Sequence, residues 1–203
     1  PNIASVLFLH EIDFKVGDII LYHCNPFINW FTNSSWSHVG IVLIGKSGKP
    51  RIFEITGSNH YATAKPLVKE LENELKNGNY ALAMRRLQPE LTTTQIKKVN
   101  TFAKRVLREK IHYEHVYWRE FYQRLFGNFF PIHISNNDRI SRNSTICSSL
   151  IAELLQEVNV MSKTYHPLSI LPHDFSDQSN RPVKLLKPYV LGPLINIKMK
   201  SMK

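Results

Sequence analysis

Along this chain the spacing of apolar residues changes period, and the changes mark out its elements. Between residues 17 and 57 apolar residues come in short runs bounded by turn residues. "GDIILY" (17–22), "HVGIVLIG" (38–45) and "RIFEITG" (51–57) read as strands, with "KSGKP" turning between the last two. "YALAMRRL" (80–87) reads as a fourth strand. From residue 92 the period becomes helical. Ile96, Val99, Phe102, Ala103, Val106 and Leu107 form one stripe of a helix that opens on Thr92 and Gln95 at capping-box spacing. Leu150, Ile151, Leu154, Leu155 and Val158 form the stripe of a second, with Ser144 or Thr145 as the expected cap.

The remaining segments are less regular. "AKPLVKELENELKNGN" (64–79) has helical spacing but ends in turn residues, so its state stays open. Residues 25–37 are polar, aromatic and turn-rich, as in a surface loop. The aromatic-rich stretch 112–143 reads as a short helix plus a long loop. Prolines at Pro167, Pro172, Pro182 and Pro188 predict that the last forty residues wrap the surface with little regular structure.

Strands, a long helix and then a cysteine-bearing helix together predict an α+β fold, an antiparallel sheet packed against helices. At 203 residues the chain suits one domain spanning 1–203. Its core is expected at about 15–160, with a Pro-rich extension over 161–203. The longest apolar runs fall short of a membrane span, and no basic n-region precedes a long apolar h-region. Two cysteines, Cys24 and Cys147, are too few for a disulfide framework and favour a reducing compartment. The net charge of +10 favours contact with an anionic surface, or else is a solvated basic face.

The chemistry centres on "NSTICSSLIAELLQ" (143–156), which places Cys147 at the start of the second helix. There the helix dipole and unpaired backbone N–H groups favour thiolate over thiol. The same N–H groups can hold an oxyanion. The structural alternative is a small core residue. A nucleophilic cysteine needs a base, and His38 in "SHVGIV" heads an apolar strand with Gly40 leaving room beside it. Glu54, between Phe53 and Ile55, is a strand carboxylate that costs stability unless paired. A hairpin closing through Gly45–Lys46–Ser47 would pair Ile44 with Gly48 and set His38 directly opposite Glu54, on one face. Glu54 would then fix the imidazole tautomer, as the third member of a triad does. The alternative is an ion pair of Glu54 with Arg85 or Arg86.

In this order, "GDIILY", "SHVGIVLIG", "RIFEITG", "IHYE" and "ICSSLIAELLQEV" resemble the circularly permuted NlpC-type papain-like proteins. The similar branch is the one that holds YiiX-like bacterial proteins and a poxviral virion-associated member. In these the His strand precedes the Cys helix. The lecithin:retinol acyltransferase-like branch differs, with "NCEHF" where this chain has "ICSSL". The resemblance implies Cys147 as nucleophile, His38 as base, Glu54 as the polar third member, and Tyr113 as a site-lining aromatic. It implies a permuted papain-like fold and a cysteine hydrolase or acyltransferase that needs no metal or organic cofactor. The expected substrates carry an amide or ester bond in a lipid, an acylated amino acid or a peptide. A cytoplasmic or virion-associated location follows from the same reading.

Trp30, Phe31 and Trp36 lie in the loop before His38, where Trp30 and Trp36 are candidates for binding acyl chains or a membrane surface; at least one can equally be core. Peripheral membrane contact is therefore the expected anionic partner, with nucleic acid disfavoured. His112, Glu114, His115 and Glu120 do not have the HExxH spacing of a helical metal site, so a partly buried aromatic segment is expected. His173 and Asp174 in "PHDF" read better as a turn than as the rim of a site, and Cys24 reads as structural. Two rival readings use the same scaffold without turnover: a basic protein docking on membrane or nucleic acid, and a structural virion protein with an idle triad.

Overall fold

The computed structural model describes residues 5–23, 36–56, 59–77, 81–113 and 144–200. In chain order its elements begin with β1 (Ser5–Phe8), β2 (Ile19–His23), β3 (His38–Ile44), β4 (Pro50–Ile55) and β5 (Ala62–Pro66). There follow α1 (Leu67–Lys76), β6 (Ala81–Arg85), β7 (Leu87–Gln88), α2 (Thr93–Glu109) and β8 (His112–Tyr113). β9 (Ser144–Thr145), α3 (Cys147–Glu157), β10 (Val190–Leu191) and β11 (Ile195–Lys198) complete the described set. Seven strands form one sheet in the order β1-β11-β6-β2-β3-β4-β5, antiparallel throughout except for the parallel β1–β11 pair. The fold class is α+β, as the apolar pattern predicts.

β2, β3 and β4 are nearly continuous apolar runs because both faces of the sheet are covered. Ile19, Leu21, Ile41 and Phe53 pack with α2 and α3 on one face. Ile20, Val42 and Ile52 pack with Leu67 and Leu71 of α1 on the other. The open segment 64–79 thus splits into the end of an edge strand and a helix, whose Leu67 and Leu71 are fully buried. α2 begins with the capping box expected at Thr92 and Gln95. Among the described residues no helix is long and apolar enough to cross a membrane.

Three expectations need correction. The β3–β4 hairpin pairs Ile44 with Pro50, not with Gly48, so the register moves by two residues. Gly48 accounts for the shift: at φ +74° it adds a left-handed residue after the turn, and Gly45 N–H bonds Lys49 O. An even shift keeps every side chain on its predicted face.

Neither Ser144 nor Thr145 caps α3. Ile146 occupies the N-cap without a side-chain bond, and the Thr145 hydroxyl donates to the Ile146 carbonyl. The C-terminal segment is not confined to the surface either. β11 lies inside the sheet between β1 and β6, and Val160, Met161, Ile170, Phe175 and Leu194 are core residues. Three backbone carbonyls hold it in place, since the buried Arg85 donates to Phe175, Leu191 and Gly192. "INIK" alternates at the strand period, and Ile197 is its buried position.

Because Ile197 is buried in the sheet, Ile197→Ala is expected to cost about 3 kcal/mol of unfolding free energy in urea melts. A cost below about 0.5 kcal/mol would mean that β11 is peripheral to folding.

Candidate active site

His38 is the first residue of β3, and Glu54 is the fifth of β4. Extending the observed register sets Gly40 opposite Glu54 and leaves His38 two residues further on, a diagonal neighbour on the same face. The side chains meet across Gly40: His38 Nε2 lies 2.9 Å from Glu54 Oε2. Gly40 is required there for space rather than for backbone freedom. A Cβ would stand 2.7 Å from Ile52 Cδ1 and 3.4 Å from Glu54 Cβ, in the groove that the imidazole crosses.

The Glu54 side chain is only 3% exposed, so its charge needs partners. His38 is the first, and Lys65 Nζ stands 3.8 Å from the other carboxylate oxygen while pairing with Glu70 at 2.6 Å. Tyr22 is directly opposite His38 in the β2–β3 ladder, and the two rings lie 4.9 Å apart. The buried Tyr22 ring also flanks this site, and its hydroxyl favours the charged form of the Glu54 carboxyl. Burial pushes the Glu54 carboxyl up, but the His38 bond and charge, Lys65 and Tyr22 outweigh it and hold the group below its usual value. The Arg alternatives are spent elsewhere: Arg85 binds backbone carbonyls, and Arg86 pairs with the buried Asp18.

Cys147 is the first residue of α3 and is buried. It packs with the α2–α3 side of the core, whereas Tyr22 belongs to the α1 side. His38, at a strand end, interacts with both. Burial works against its imidazolium, yet the charge and hydrogen bond of Cys147, followed by those of Glu54, hold His38 well above the usual 6.5. Since Nε2 is committed to Glu54, Nδ1 is the nitrogen left for the thiol. One imidazole thus interacts with both a buried carboxylate and a cysteine.

Around Cys147, Ser148 and Ser149 turn their hydroxyls away from the helix start. They donate to the carbonyls of Ile170 (2.6 Å) and Pro167 (3.1 Å), which ties the C-terminal segment to α3. With no side-chain cap, the first-turn N–H groups of α3 stay available to an oxygen anion next to Cys147.

Of the other candidates, Trp36 shares the core cluster of Cys147. Trp36 is buried in the main core, edge-on to His23, with its indole N–H donating to Gln178. Tyr113 lies in β8, paired with Thr145 two residues before Cys147. Trp30, Phe31, Cys24, Glu114, His115 and Glu120 lie outside the described residues. His173 and Asp174 sit in the 3-10 turn Pro172–Phe175, where the Asp174 carboxylate accepts from Leu171 N–H and the Ser179 hydroxyl. Among the described residues no group of three or more His, Cys, Asp or Glu side chains is placed to hold a metal ion. Tyr22 and Lys65 are the partners that sequence reasoning passed over. The signal for Tyr22 is its place at the end of "GDIILY", which becomes informative only with the β2–β3 register.

No family model matches the chain, and no curated protein does. Among solved structures the chain is similar to the crystal structure of metalloprotein yiiX from Escherichia coli O157:H7. The two are 19% identical, the match covers 92% of this chain and 97% of that one, and the TM-score is 0.49.

The two shifts act on stability in opposite directions of pH. The contribution of His38 is complete below about 6.5 and is lost as pH rises through its raised folded value. That of Glu54 is complete above about 4.5 and is lost as pH falls through its lowered folded value. The unfolding free-energy gap between the protein and His38→Gln/Glu54→Gln is therefore expected to peak near pH 5.5, between the two ordinary values, and to narrow as pH rises well above 6.5. A gap that stays flat over that range in denaturant titrations would mean the pair does not carry these charges.

Proposed function

We propose that the chain is a cysteine hydrolase or acyltransferase of the permuted papain-like type, acting on an amide or ester bond through Cys147, His38 and Glu54. One observation carries this reading: a single imidazole interacts with the buried carboxylate of Glu54 and with a cysteine that opens an uncapped helix. A structural histidine needs one partner, whereas this one has both a nucleophile and an orienting group.

In the reaction the Cys147 thiolate attacks the carbonyl carbon, and the carbonyl π electrons move onto oxygen. First-turn N–H groups of α3 donate to that oxyanion. As the C–N or C–O bond breaks, the His38 imidazolium gives its proton to the leaving nitrogen or oxygen, which leaves a thioester on Cys147. Neutral His38 then takes a proton from water or from an acceptor hydroxyl or amine, which attacks the thioester and releases the thiolate. Glu54 keeps Nε2–H in place throughout, so Nδ1 always faces sulfur. The substrate class is an acyl group on a lipid, an amino acid or a peptide.

The test is trapping of the acyl-enzyme. The chain is incubated with an activated fatty acyl ester, an N-acyl amino acid amide and a peptide ester, and intact mass is followed with and without hydroxylamine. A hydroxylamine-sensitive adduct on Cys147 is expected, absent in Cys147→Ser and formed about 100-fold or more slowly in His38→Ala. No adduct from any donor, or equal rates with and without His38, would favour a scaffold that binds without turnover.

A further inference from the structure

The faces of α2 are sharply divided. Val99, Phe102, Ala103 and Val106 are buried against the sheet and α3. The opposite face carries Lys97, Lys104 and Arg108, with Lys98 and Arg105 on its flank, Arg105 lying over the Phe102 ring; all are exposed, as is Lys110 at the C-cap. Lys97, Lys104 and Arg108 fall on one line along the helix, spanning roughly 17 Å at 1.5 Å per residue. Glu109 is the only carboxylate in the helix. Among the described residues, Arg108 alone of these cations has an ion pair, at 3.8 Å to the exposed Glu109. An ordinary solvated helix face alternates charges at i, i+4, whereas Lys104 and Arg108 at that spacing repel.

We propose that this face of α2 docks the protein on an anionic phospholipid bilayer. The charge is complementary, and lysine predominates, which suits diffuse attraction to headgroups more than forked recognition of single phosphates. The exposed side chains of α2 include no aromatic or amide group to stack on or read a base. They do include Leu107, 36% exposed on the flank, which fits a headgroup layer. Docking also bears on the candidate site. After Glu109 the chain enters β8, which pairs with β9, and Cys147 follows β9 by one residue. The basic helix therefore ends beside the segment that delivers the nucleophile. The proposal does not depend on turnover by Cys147, because docking is read as binding.

The full chain is sedimented with phosphatidylcholine vesicles, with and without about 30% phosphatidylserine, at about 0.1 M salt. Binding is expected only to the anionic vesicles and weakens as salt rises. Lys97→Gln/Lys104→Gln/Arg108→Gln is expected to lower affinity about 100-fold, at roughly five-fold per cation. The equally discharged Lys46→Gln/Lys49→Gln/Lys69→Gln, exposed on the hairpin turn and α1, is expected to keep wild-type affinity if the α2 face is the docking site. Circular dichroism checks that both variants are folded. No binding to anionic vesicles, or equal losses in the two variants, would overturn the proposal. So would tighter, α2-dependent binding to duplex DNA or RNA at the same salt, which would make nucleic acid the partner.

Discussion

The candidate site depends on keeping one carboxylate charged inside the protein. Glu54 sits in a strand between Phe53 and Ile55, both fully buried, where an unpaired charge would be expelled or neutralised. Its ionisation is maintained by His38, Lys65 and Tyr22, which reach it from three different elements. Each partner constrains the fold around it. His38 can cross to Glu54 only because residue 40 has no side chain. Tyr22 reaches it only in the observed β2–β3 register. Lys65 arrives from β5 because that edge strand pairs Lys65 with Ile52.

The same charge acts on His38. A carboxylate on Nε2 raises the basicity of the ring and leaves Nδ1 as its other hydrogen-bonding nitrogen. The cysteine is brought in by a different device, the anchoring of α3. Ser148 and Ser149 hold the C-terminal segment, and Arg85 holds its far end. Residues beyond 160, which resemble an extension in the sequence, thereby brace both the sheet and the helix that carries Cys147.

Much of this was legible in the apolar pattern because strand and helix periods differ. β2, β3, β4, β6, α2 and α3 are all long or regular enough for the period to register. The face shared by His38 and Glu54 was readable although the register was not, since a two-residue slip leaves faces unchanged. The slip itself depended on one glycine, Gly48, whose left-handed φ lengthens the loop. β1, β5 and β11 escaped notice for a common reason. "SVLF", "ATAKP" and "INIK" are short and mostly exposed or half-buried, unlike the buried runs of β2 and β6, and only their neighbours make them strands. Tyr22 and Lys65 were invisible as site residues because their roles depend on pairings across the sheet. The missing cap of α3 has another origin: the helix starts at Cys147, so Ile146 takes the N-cap and the Thr145 hydroxyl bonds the Ile146 carbonyl.

The coupling of Cys147 to His38 is tested most directly by the pH dependence of Cys147 alkylation with iodoacetamide. Cys147→Ser supplies the background from Cys24, and His38→Ala removes the imidazole. If the two groups form the charge-separated pair, alkylation of Cys147 persists near pH 6 and slows there by about ten-fold or more in His38→Ala. A pH profile unchanged by removal of His38 would contradict the pair and leave Cys147 a buried core residue.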